Sequence, residues 1–112
     1  MIKYQIEKNL KVEEFREVLI KSIKLETSFN DIERIKNMIE NANLIITARD
    51  EDTLVGVSRS LTDYSFCTYL ADLAVDINYQ NIGIGQELIR LTNLLSAPLS
   101  NKFNPHLFND KF

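Results

Sequence analysis

An α/β domain with its elements in the order β-α-α-β-β-β-α is what this sequence predicts, and three observations predict it. Ile2, Tyr4 and Ile6 alternate with Lys3, Gln5 and Glu7, the period-two pattern of a half-buried strand. Two stretches with apolar residues at helical spacing follow, and then three strand-like runs. Late in the chain, two of its only three glycines fall between the last of those runs and a further helical pattern.

Composition sets bounds. The 112 residues suffice for one core, and a single domain over residues 1–112 is expected. A net charge of −3 advertises no broad basic face for nucleic acid or anionic lipid, and it suits a cationic amine better. No apolar run approaches a membrane span, and the opening Met1-Ile2-Lys3-Tyr4-Gln5 lacks the uninterrupted apolar stretch of a signal peptide, so a cytoplasmic protein is expected. Cys67 is the only cysteine, which rules out an intrachain disulfide and a cysteine-rich metal site.

After the first strand, Val12, Phe15, Leu19 and Ile23 draw the apolar stripe of a helix, with Glu13, Glu14, Arg16 and Lys21 on the wet side. Ser28 and Asp31 form a capping box for a second helix, whose apolar face is Ile32, Ile35, Met38, Ile39 and Ala42 and whose terminator is Asn43. Residues 44–48 and 54–57 read as a hairpin around Asp50, Glu51, Asp52 and Thr53. Adjacent carboxylates at a hairpin tip diverge, so the acidic triplet is a solvated turn rather than a metal cluster. The turn Thr62-Asp63-Tyr64-Ser65 leads into a long strand over 66–75, in which Cys67 reads as a buried thiol. A polar turn over 76–81 precedes the last helix, striped by Ile84, Leu88, Leu91 and Leu95. Residues 94–98 fit a helix end and a strand equally well. Residues 99–112 have no period and read as a loop that packs Phe103, Phe108 and Phe112 on the core.

The chemistry concentrates in Gln80-Asn81-Ile82-Gly83-Ile84-Gly85. A helix opening here leaves its first N–H groups unpaired and the positive end of its dipole exposed, and glycine lets an anion approach those donors. The spacing excludes two phosphate loops. No Lys follows Gly85 as a Walker loop requires, and the third glycine of a dinucleotide fingerprint falls on Leu88. What the segment Leu73-Ala74-Val75-Asp76, then Tyr79, then Gln80-x-x-Gly83-x-Gly85 does resemble is the acetyl-coenzyme A motif of the GNAT superfamily of N-acetyltransferases, where Q/R-x-x-G-x-G/A joins the fourth strand to the next helix. The resemblance spans about residues 1–95.

That resemblance implies a mixed, mostly antiparallel central sheet with flanking helices. It implies a bulge in the fourth strand, with the pantetheine arm of acetyl-CoA bonded to backbone groups of Leu73, Ala74 and Val75. The pyrophosphate would sit on Gln80, Asn81, Ile82, Gly83, Ile84 and Gly85. Acetyl-CoA is then the cosubstrate, no metal is needed, and the acceptor is a primary amine of a small molecule or a protein. The family attacks the thioester with a deprotonated amine, often helped by a carboxylate or water, and Asp72 is the candidate by position. The alternative role for an Asp at a bulge is to cap loose N–H groups. Tyr64 and Tyr69 are further polar tips, whereas His106 falls in the unpatterned tail and Cys67 has no histidine partner in a recognisable pattern. Family members continue with a fifth strand, a fourth helix and final strands, so the resemblance implies a shortened C-terminus. Two outcomes stay open: a slow N-acetyltransferase, or a non-catalytic relative that keeps the loop to bind coenzyme A or to dimerise. An unpaired fourth strand favours a homodimer unless the tail covers it.

Overall fold

The computed structural model describes residues 1–23 and 30–96. Strands β1 (Ile2–Ile6), β2 (Leu44–Asp50), β3 (Thr53–Thr62) and β4 (Thr68–Val75) form one antiparallel sheet in the order β1-β2-β3-β4. Helices α1 (Val12–Ile23) and α2 (Ile32–Asn41) cover one face and α3 (Ile84–Ser96) the other, in the expected chain order. Phe15, Val18, Leu19, Ile35 and Ile39 pack on Ile45, Leu54, Val57 and Ala74, while Ile84 and Leu88 pack on Leu44, Ile46, Ala48 and Val55. Because β2 is covered on both faces, it reads as a continuous apolar run instead of an alternating one. Gly56 lets α3 lie this close to the sheet: a Cβ there would come within 3.0 Å of Ile84 Cγ2 and 3.3 Å of Leu88 Cδ1.

Several boundaries differ from those the sequence suggests, each for a local reason. Asp31 alone caps α2, its carboxylate accepting the Arg34 N–H at 3.1 Å; Ser28 lies outside the described residues. The helix ends at Asn41, with the Ala42 N–H returning to Ile39 O, and Ile32 is exposed. Asn43 instead clamps the end of β3, donating to Thr62 O at 2.6 Å and accepting from Thr62 N–H at 2.9 Å. In the hairpin Asp50 pairs with Thr53, so the tip is Glu51 and Asp52 alone, and β3 continues well past Val57.

Strand β4 starts later than predicted because Asp63 Oδ1 accepts the N–H groups of Ser65, Phe66 and Cys67 at 2.9, 2.8 and 3.0 Å. Those bonds hold the Asp63 carboxyl down at about 2 and keep Phe66 and Cys67 in a turn. Cys67 is therefore exposed, not buried.

The stripe of α3 also runs differently. Ile84, Leu88, Thr92 and Ser96 are buried, while Leu94 and Leu95 are exposed. The second half of this face is polar because the sheet beneath it is polar, and Ser58 Oγ and Thr92 Oγ1 share a buried hydrogen bond of 3.0 Å. Residues 94–96 are helical; Phe103, His106, Phe108 and Phe112 lie outside the described residues.

Candidate functional site

The end of β4 and the start of α3 are joined by a turn that Asp76 organises. Its N–H donates to Val55 O at 2.8 Å, its carboxylate accepts the Asn78 N–H at 2.9 Å, and its carbonyl accepts the Tyr79 N–H at 2.8 Å, closing a 3₁₀ turn over Ile77–Tyr79. The Tyr79 hydroxyl donates to Asp50 Oδ2 at 2.7 Å, which pins the turn to the β2–β3 hairpin and raises the Tyr79 pKa. Asn81 at φ 69° and Gly83 at φ 95° then reverse the chain into α3. The first helical bond runs from Glu87 N–H to Gly83 O at 3.0 Å, so the N–H groups of Ile84, Gly85 and Gln86 have no acceptor within the helix.

The two glycines differ in what they do. At Gly83 the backbone lies where side chains are disfavoured, and a Cβ would meet nothing within 4 Å. At Gly85 a Cβ would reach only ordinary contact with Val75 Cγ2 at 3.8 Å. Gly83 makes the turn, and Gly85 leaves space above it.

On the other side stands β4, which carries the bulge. Asp72 pairs with Arg59 and Leu70 with Ser60, leaving Ala71 as the extra residue. The Asp76 N–H points to β3, and backbone direction alternates along a strand, so the Ala74 groups also face β3 while those of Leu73 and Val75 point outward. No strand pairs with that outer edge among the described residues. Of the three residues expected to bind a ligand through their backbone, Leu73 and Val75 turn theirs to the outer edge, whereas Ala74 turns its own toward β3 and its side chain is buried. Val75 O already accepts from Gln80 Nε2 at 2.8 Å, and the same nitrogen donates to Ser22 O at 3.2 Å.

Between these walls lies a cleft of about 560 Å³, lined by Ser22, Leu73 and Val75 on one side and by Gln80, Asn81, Gly83, Gly85 and Gln86 on the other. Its size suits an organic ligand. No charged side chain lines it among the described residues, so its pull on an anion comes from amide groups and the helix dipole. Glu87, in the first turn of α3, is paired with Arg90 at 2.8 and 2.9 Å, which lowers its pKa. The Ile84 side chain is buried in the core and Ile82 is exposed, so neither side chain lines the cleft. Ser22 and Gln86 do, and sequence spacing pointed to neither. Ser22 is 58 residues from Gln80, and only the fold brings them together.

Asp72 is on the opposite face of β4 from Leu73, ion-paired with Arg59 Nε at 2.5 Å, and Arg59 also donates to Met38 O at 3.3 Å. Asp72, Tyr64 and Tyr69 are not among the lining residues. Tyr64 donates its hydroxyl to Asn43 O, and Tyr69 is exposed.

The sequence model of the Acetyltransferase (GNAT) family matches residues 8–92. A GNAT family acetyltransferase from Streptococcus pneumoniae TIGR4 superposes with a TM-score of 0.69 and is 25% identical, over 87% of this chain and 70% of that one. An aminoglycoside acetyltransferase from an uncultured soil metagenomic sample, solved in complex with sisomicin, gives 0.66 and 25% over 85% of this chain and 69% of that one. An aminoglycoside 6'-N-acetyltransferase complexed with coenzyme A shares the fold, with a TM-score of 0.67 at 19% identity over 86% of this chain and 54% of that one. A search of curated protein sequences finds no significant match. With most of its length matched by the family's sequence model and its sheet, bulge and glycine turn arranged as described, the chain belongs to the GNAT family of acetyltransferases.

Proposed function

We propose that the chain transfers the acetyl group of acetyl-CoA to a primary amine, with the cleft between β4 and α3 as the donor site. The observation that carries this reading is that a positive-φ glycine turn, whose helix leaves its first N–H groups without an acceptor inside it, lines the same cleft as the β4 edge that no described strand pairs. The N–H groups of Ile84, Gly85 and Gln86, with the turn Gln80, Asn81, Ile82 and Gly83, would hold the pyrophosphate. Leu73 and Val75 would hold the pantetheine arm by strand-like hydrogen bonds. When bound, acetyl-CoA supplies a thioester that an unprotonated amine attacks. A small-molecule amine is the favoured acceptor: relatives of this fold were solved with sisomicin and with coenzyme A, and the chain's own charge of −3 suits a cation.

Asp72 is assigned a bracing role at the bulge, through Arg59, because its carboxylate is already engaged on the face away from the cleft. On this reading Asp72→Asn lowers turnover less than about tenfold with donor affinity unchanged; a loss of about 10² to 10⁴ at unchanged stability would instead make Asp72 the proton acceptor.

Calorimetry with acetyl-CoA, and a thiol-release assay across polyamines, aminoglycosides, amino acids and peptides, test the proposal. Binding with turnover on an amine supports it. Binding without turnover on any amine moves the assignment to a coenzyme-binding relative, and absence of binding overturns it.

A further inference from the structure

In the anion-binding reading Gln80 is part of the turn and its side chain has no separate task, yet that side chain is engaged in the cleft wall. Its amide nitrogen stands between two backbone carbonyls of different elements: Val75 O on the outer edge of β4, at 2.8 Å, and Ser22 O in α1, at 3.2 Å. Among the described residues no strand pairs with the outer edge of β4, the edge to which Val75 O belongs. Ser22, Val75 and Gln80 all line the cleft, so this pair of hydrogen bonds lies at its wall.

We propose that Gln80 is a positioning residue of the donor site, one that masks these two oxygens and fixes the spacing between α1 and β4. The inference rests on the donor-site reading above. Acetyl-CoA is rich in oxygen and carries negative charge at its phosphates, so a wall that presents bare carbonyls repels it, whereas a wall whose carbonyls are occupied leaves only donors facing it. With Val75 O occupied, β4 offers the N–H and C=O of Leu73 and the N–H of Val75, a single pattern that one register of an amide-bearing arm can match. The primary amide suits the task because one nitrogen carries two hydrogens and no charge.

Gln80→Met keeps the length and removes the donors. Calorimetry on the full chain with acetyl-CoA and with acetyl-pantetheine, which lacks the phosphates, reads the effect. The expected result is a loss of about tenfold in affinity for both donors alike, the size of one or two neutral hydrogen bonds, with a melting temperature within about 3 °C of wild type. Gln80→Lys, which restores a donor of similar reach, recovers the affinity for acetyl-pantetheine, where the added charge has no phosphate to attract. Unchanged affinity in Gln80→Met overturns the inference, as does a loss confined to acetyl-CoA, or a Gln80→Lys variant as weak as Gln80→Met on the uncharged donor. If Gln80→Met does not fold, the Gln80→Lys arm decides alone: wild-type affinity for acetyl-pantetheine supports the role and a tenfold loss refutes it. A wild-type chain that binds neither donor defeats the donor-site reading itself, an outcome distinct from all of these.

Discussion

At Gly83 the backbone lies at φ 95° and an added Cβ would meet nothing within 4 Å, so substitution is opposed by conformation and by what must enter the cleft, not by packing. Gly83→Asp is expected to abolish acetyl-CoA binding at a stability cost of about 1–2 kcal/mol from the forced positive φ. Equal calorimetric affinity for wild type and this variant would remove the anion site from consideration. Gly56 is the opposite case. Its missing Cβ is needed by the packing, since Ile84 Cγ2 is 3.0 Å from where that atom would be, and the methyl groups of Ala48 and Leu88 are 3.3 Å away. Gly56→Ala should lower stability by about 1–3 kcal/mol in urea titration as α3 is pushed off the sheet. A variant as stable as wild type would show that α3 has room the structure denies it. Thr92 is a third single-residue case. Thr92→Val keeps the shape but strands Ser58 Oγ, and a loss of about 1–2 kcal/mol is expected that the added change Ser58→Ala largely restores.

Between elements Arg49 is a tie among the described residues: its guanidinium meets Glu7 at 2.8 and 3.0 Å and Glu14 at 2.9 Å, joining β2 to the end of β1 and to α1. The bond from Arg49 takes the Glu7 carboxyl from 4.5 down to about 2, against the opposing effect of burial. A folded pKa below the unfolded one means stability that is fully present above pH 4.5 and is lost as pH falls toward 2. Glu7→Gln should flatten the acid limb of a stability profile in that window and cost about 1–3 kcal/mol at neutral pH. An acid limb identical in wild type and variant would place the acid sensitivity elsewhere. The same residues show what a sequence carries and what it withholds. The order of elements and the glycine turn were legible because they rest on local facts: apolar spacing, and the few residue types that accept positive φ. The partners of Glu14 and Asp72, Arg49 and Arg59, were not legible, because strand register and a bulge that no local pattern announces bring them together. Cys67 read as buried because the turn that exposes it is made by one carboxylate reaching forward along the chain. The polar half of α3 was missed for a related reason: hydroxyls pack inside when another hydroxyl faces them.

For the molecule as a whole, the outer edge of β4 is where structure and association meet. That edge is unpaired among the described residues, and the exposed Leu73 stands on it. If two copies paired along it, they would spend the same backbone groups of Leu73 and Val75 that the proposed donor needs. Self-association through β4 and donor binding are then mutually exclusive, and light scattering should report a smaller mass with saturating acetyl-CoA than without it. A mass that rises with acetyl-CoA would place any association on another surface. Many proteins blunt an open strand with a lysine, a proline or a covering loop. If the proposed donor occupies the backbone groups of Leu73 and Val75, a metabolite guards this edge. Its supply would then set how long the chain survives heat, and at a fixed temperature turbidity should develop more slowly as acetyl-CoA is added, in step with occupancy of the cleft and not with turnover.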